Sequence, residues 1–140
     1  MHHWAEGVTV AFDRKNQALL VKFLLRGLTT ETITMAGVMG AQIVSDIEPR
    51  EAPVTQRQVE AVATQEPHIS PADWETRNQV RGIALNMHAD GFILNFHLLR
   101  SSGMIAIAMN PMVAHVFRVL LQRALEQLGI RSEQGRSRPN

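Results

Sequence analysis

Six histidines, His2, His3, His68, His88, His97 and His115, carry the side chains of this chain that titrate near neutral pH. A zinc-binding helix places two histidines four residues apart, as in HExxH, and no pair here has that spacing. His2 and His3 are terminal neighbours. The absence of cysteine removes thiolate nucleophiles, disulfides and cysteine-ligated zinc. There is no glycine-rich phosphate loop, no GxSxG elbow and no closely spaced carboxylate pair on a predicted rigid element. No motif asks for a cofactor or a metal. The acid–base or small-ligand reading therefore rests on His97 as the titrating group.

The surroundings of His97 follow from strand patterning. Ile83, Leu85 and Met87 alternate with Ala84, Asn86 and His88, and Phe92, Leu94, Phe96 and Leu98 continue the period of two. A two-residue turn at Asp90-Gly91 would place Asn86 opposite Asn95 and Ala84 opposite His97 on one sheet face. Asn86, Asn95 and His97 form the one polar cluster this pattern assembles. A solvated sheet face explains the same three residues.

The pattern occurs twice. A shift of 75 positions superposes Val8, Val10 and Phe12 on Ile83, Leu85 and Met87, and Leu19, Val21 and Phe23 on Leu94, Phe96 and Leu98. It also carries Lys15-Asn16 onto Asp90-Gly91, residues suited to the positive φ of a type I′ turn. Farther on the shift becomes 74, pairing Ile33 with Ile107, Met35 with Met109 and Ile43 with Phe117. Asn110-Pro111 is an N-cap followed by a first-turn proline, and Gly129 is a natural stop. The equivalent helix in the first unit, over 36–47, contains Gly37 and Gly40, each costing about 1 kcal/mol relative to alanine. A continued strand is the alternative there.

These signals predict an α+β fold built from an internally duplicated strand-strand-strand-helix unit. The expected arrangement is a pseudo-two-fold antiparallel sheet with two helices on one face. The repeats span 7–47 and 82–129 of one domain, 1–130, and the polar tail 131–140 is expected to be disordered. The second helix is expected to bury Val113, Val116, Phe117, Leu120, Ala124 and Leu128, with Met112, Val119, Leu121 and Leu125 off that face.

Between the repeats, residues 48–77 hold Pro49, Pro53, Pro67 and Pro71 and six of the thirteen acidic residues. Thr55 with Gln58 makes a capping-box pattern, and Ser70-Pro71 with Asp73 and Glu75 reads as a second short helix start. Such long connections inside a compact domain are usually functional or disordered. Trp74 argues that the far end docks, either on a partner or on the chain's own core.

Composition sets the partner classes. At 140 residues and 45% hydrophobic content, one core can be built. No run approaches the ~18 apolar residues of a membrane span, and the first six residues lack secretory-signal regions. The expectation is a cytoplasmic protein without a membrane partner. The non-helix face mixes Leu20, Leu24, Ile93 and Leu99 with Lys22, Asn86, Asn95 and His97, and half-apolar faces pair with other surfaces. Homodimerisation is expected.

The leading reading is a non-catalytic protein-binding module, an adaptor, regulator or inhibitor. It would act through the sheet face or the inserted segment, with Trp74, Leu20, Lys22, Asn95 and His97 as contact residues. The alternative is a single-stranded nucleic-acid binder using Arg118, Arg123, Arg131, Arg136 and Arg138. Against it stand a net charge of +1 and 5% aromatics, few for a stacking platform. Strand-rich repeats ending in a helix resemble the architecture of the PUR and Whirly single-strand binders, which use four strands per unit, and no motif residue matches. A small enzyme or ligand binder using His97 is the third reading.

Overall fold

The computed structural model describes residues 3–63 and 65–130, so the tail with Arg131, Arg136 and Arg138 lies outside them. The chain runs through β1 (His3–Asp13), β2 (Ala18–Leu25), β3 (Thr30–Ala36), α1 (Gly37–Ile47) and α2 (Gln56–Ala63). It continues through β4 (Val80–His88), β5 (Gly91–Leu98), β6 (Met104–Met109) and α3 (Pro111–Leu128). Short 3-10 turns occupy Glu48–Arg50 and Pro71–Glu75.

The α+β class is as expected, but the sheet is mixed. Its six strands take the order β3-β2-β1-β6-β5-β4, and β1 runs parallel to β6 at the centre. A two-fold normal to the sheet would put equivalent strands side by side and antiparallel at the middle. Here the last strand of one meander meets the first strand of the other, so both meanders stand in the same orientation. The expectation of a pseudo-two-fold antiparallel sheet is therefore corrected. The sheet does not close, although Thr34 and Gln79 form a single bridge between the β3 and β4 ends.

Turn chemistry explains two further differences. The first hairpin pairs Asp13 with Ala18 around four residues, because the Asp13 carboxylate accepts from the Lys15 N–H and the Asn16 amide; the positive φ falls on Gln17. The second pairs His88 with Gly91, which makes Ala89-Asp90 the two-residue loop. That moves the register by two residues without exchanging faces. Asn86 consequently faces Ile93, Asn95 faces Ala84, and His97 faces Gly82.

Local helix signals hold. Asn110 accepts from the Val113 N–H at 2.9 Å, Pro111 follows, and Gly129 ends α3 in the left-handed region. Thr55 and Gln58 exchange both capping-box bonds ahead of α2. Residues 37–47 are a helix, and the glycine inside it has a packing reason: a Cβ at Gly40 would run into Leu19 of β2. A side chain at that position would have to displace the buried end of Leu19.

One sheet face, carrying Val8, Leu19, Val21, Phe23, Ile33, Phe92, Leu94, Phe96 and Ile107, is buried under the helices. The α3 burial stripe is wider than expected, since Leu121 and Leu125 are buried while Leu120 is half-exposed. The reason is that α1 packs along that flank and α2 along another. At the centre Phe23 of β2, Phe96 of β5 and Phe117 of α3 meet with ring centroids 6.1 and 5.4 Å apart, all fully buried. Phe117→Ala is expected to cost about 3–5 kcal/mol, read as a lower midpoint in urea unfolding with an unchanged slope. A cost below 1 kcal/mol would mean that the trio is not the keystone.

Candidate functional site

The opposite, outer face of the sheet is built the same way in both meanders. The central strand of each carries a row of outward side chains, Leu20, Lys22 and Leu24 on β2 and Ile93, Asn95 and His97 on β5. Mostly small residues flank each row. Leu20 lies between Ala11 and Thr34, Lys22 between Thr9 and Thr32, and Leu24 between Gly7 and Thr30. Ile93 lies between Asn86 and Ala108, Asn95 between Ala84 and Ala106, and His97 between Gly82 and Met104. The low flanks leave a shallow groove on either side of each central row, and the row with its two grooves forms one trough-like strip along the strand.

The first trough is filled by the chain itself. Leaving α2, the backbone passes so close over β1 that a Cβ at Gly7 would collide with the Gln65 carbonyl. The Thr9 hydroxyl donates to the Pro67 carbonyl at 2.5 Å, and the Lys22 ammonium donates to the His68 carbonyl at 2.9 Å. The same ammonium pairs with the Asp73 carboxylate at 3.1 Å. Farther along, Thr76 and Asn78 donate to the Thr32 carbonyl, and Thr34 donates its N–H to Asn78. Leu20 is fully buried as a result. Leu20 and Lys22 are thus engaged by the chain's own segment, and a partner would reach them only by displacing it. Trp74 is half-buried and lines a hollow at the β1–β2 turn with Phe12, Asp13 and Arg14.

The second trough is open. Ile93, Asn95 and His97 are half-exposed, Asn86 is exposed and Met104 is 52% exposed. Among the described residues no protein hydrogen bond engages the side chains of Asn86, Asn95 or His97. At the Ile93 end, Trp4 and His88 meet edge-on with ring centroids 5.4 Å apart, and the Arg26 guanidinium sits 5.7 Å from the Trp4 ring. The structure therefore keeps the predicted polar cluster on one face, with Asn95 and His97 on one strand and Asn86 in the Ile93 row. Sequence reasoning missed Trp4, whose place is set by the non-local pairing of β1 with β6.

A separate groove of about 450 Å³ runs between α2 and α3, with Val59, Ala63, Val116 and Val119 on its walls and His115, Glu66 and Arg123 on its rim. His115 is bound by Glu51 at 3.3 Å, and the same carboxylate takes a bidentate pair of bonds from Arg118 at 2.8 and 2.9 Å. This pairing raises the Arg118 pKa and ties the start of the connecting segment to α3. Of the basic patch expected for nucleic acid, Arg118 is neutralised in this way and Arg123 is exposed. Among the described residues no group of three or more histidine or acidic side chains is placed to hold a metal ion, and no helix is long and apolar enough to cross a membrane. No family model, curated protein or solved structure matches this chain.

The Asp73 carboxylate is held below its ordinary pKa, first by the Ser70 N–H and then by Lys22. A lowered folded-state pKa means that the contribution of this contact is complete above the ordinary carboxylate value of about 4 and is lost as pH falls through the lower folded value. In a Trp4→Phe background, Trp74 emission should shift in acid as the segment loosens. Asp73→Asn should bring the shifted emission to neutral pH and remove the acid step. An unchanged acid step in Asp73→Asn would assign it to other carboxylates.

Proposed function

We propose that this chain is a non-catalytic protein-binding module whose open trough, along Ile93, Asn95 and His97, takes an extended segment of a partner protein. The observation that carries this reading is the contrast between two like surfaces on one sheet face. One holds the chain's own proline-bearing segment, and the other has similar walls, with the Asn86, Asn95 and His97 side chains unpartnered among the described residues. The filled trough supplies the recognition chemistry: hydroxyl and ammonium donors to backbone carbonyls, plus one ion pair. In the open trough Asn95 takes the place of Lys22, which favours amide bonding to a backbone over capture of a carboxylate. Trp4, half-exposed at the trough end, offers the aromatic surface that commonly dominates interface energy.

An internal duplication belongs to the same proposal. Its support is register: bulges fall between Ala5 and Gly7 in β1 and between Val80 and Gly82 in β4, 75 positions apart. The buried residues Leu19, Val21 and Phe23 correspond to Phe92, Leu94 and Phe96, 73 positions on, because the second hairpin loop is two residues shorter. Met35 and Met109 then restore the offset of 74.

The test is a photo-crosslinking residue at position 95, used in nuclease-treated lysate and compared with one at exposed Arg14. The position-95 probe should trap a protein that the Arg14 probe does not. Asn95→Arg with His97→Glu should weaken binding of that purified partner by about tenfold or more while the melting temperature holds. Equal binding by the variant would end this reading.

A further inference from the structure

We infer that the β4 edge of the sheet pairs with β4 of a second copy of this chain, antiparallel about a two-fold axis at Leu85. The two sheet edges are treated differently. The β3 edge is capped by its own chain: Thr34 gives its N–H to the Asn78 carbonyl, and the Asn78 amide bonds both the Thr32 carbonyl and Glu31. Beyond the Thr34–Gln79 bridge β3 ends at Ala36 and the chain turns into α1, while β4 runs on to His88.

Proteins guard exposed edge strands with proline, lysine, inward-pointing charge or bulges. The β4 bulge lies at its start, between Val80 and Gly82. From Gly82 to His88 there is no proline and no Lys, Arg, Asp or Glu. Ala84 and Asn86 are exposed, Met87 is 61% exposed, and a Cβ at Gly82 would meet only open space. Ile83 and Leu85 pack on the core yet stay half-exposed, with α1 approaching the strand from the helix side, so the apolar layer runs out to this edge.

The strand is self-complementary about Leu85. Antiparallel pairing there sets Leu85 against its own copy and Ile83 against Met87 of the other chain, keeping apolar side chains together on the helix side. On the outer side Ala84 meets Asn86 of the other chain, and Gly82 meets His88. No like charges oppose one another, and each contact off the axis occurs twice, as an isologous interface requires. A second copy is therefore the occupant whose chemistry this edge fits. Its two open troughs would lie on either side of the axis; the edge shares the wall residues Gly82, Ala84 and Asn86 with the trough, while the row of Ile93, Asn95 and His97 stays outside the contact.

The experiment exploits the cysteine-free sequence. Wild-type protein should sediment as a dimer. Met87→Lys should weaken association by about tenfold or more without loss of the folded circular-dichroism signal. In the proposed register position 84 of one chain faces position 86 of the other, within disulfide reach, whereas 84 and 84 are two residues out of register. A one-to-one mixture of Ala84→Cys and Asn86→Cys chains should therefore oxidise to a disulfide heterodimer, and neither alone should crosslink. Both substitutions lie on exposed positions outside the core. A monomeric wild type would overturn the inference. So would a dimer that Met87→Lys leaves intact, or one whose 84/86 mixture fails to crosslink. Partner trapping at position 95 is read separately, so failure of one proposal leaves the other standing.

Discussion

The seam between β1 and β6 is the constraint on which the structure depends. Among the described residues only His3 with Ile107 and Trp4 with Ala108 pair across it. A ladder that short cannot hold two three-stranded meanders together, because each backbone hydrogen bond adds only about 1 kcal/mol net. The joining is done from the helix side. Phe23 comes from one meander, Phe96 from the other, and Phe117 reaches down from α3 to touch Phe23. Each fully buried ring contributes about 1.5–3 kcal/mol by area alone, with geometry-dependent ring contacts in addition. The position of α3 follows from this trio, and α1 settles beside it where Gly40 leaves room for Leu19.

On the other face the energetic roles differ. The pair of Lys22 with Asp73 is partly solvated and contributes little to stability by itself. Burial of Leu20 supplies the larger driving force, and the ion pair with the Thr9 and Lys22 bonds fixes where the segment lies. Polar bonds thus select the path, while one leucine and the close approach at Gly7 provide the adhesion. The same division of labour frames the proposed partner contact, where Ile93 would take the part of Leu20 and Asn95 that of Lys22.

What could be read from sequence was local. Asn110-Pro111, the Thr55 and Gln58 box and the alternation of apolar residues act within a few residues, and each appears where the pattern put it. The turns were less legible because several residues compete for them: the Asp13 side chain organises a four-residue loop, and Ala89-Asp90 is used with Gly91 as the next strand residue. That single choice moved the neighbours of His97 from Ala84 to Gly82. Strand order was not legible at all, since nothing local distinguishes β1 beside β6 from β1 beside β4. Trp4 therefore passed unnoticed, and so did the Glu51 link to His115 and Arg118, which joins residues 64 and 67 positions apart.

Side-by-side placement in the same orientation gives the sheet two unlike outer edges, β3 and β4. Under a two-fold, equivalent strands would meet at the centre and the two outer edges would be the same strand of each unit. In a shifted arrangement the connection between the units can serve only one of them. It leaves α2, crosses the first trough, caps the β3 edge and enters β4. No equivalent connection follows β6 and α3 within the described residues, so the second trough and the β4 edge lack their internal counterparts together. Within the described residues the open surface thus follows from topology: the segment that covers a trough and guards an edge lies on the first unit.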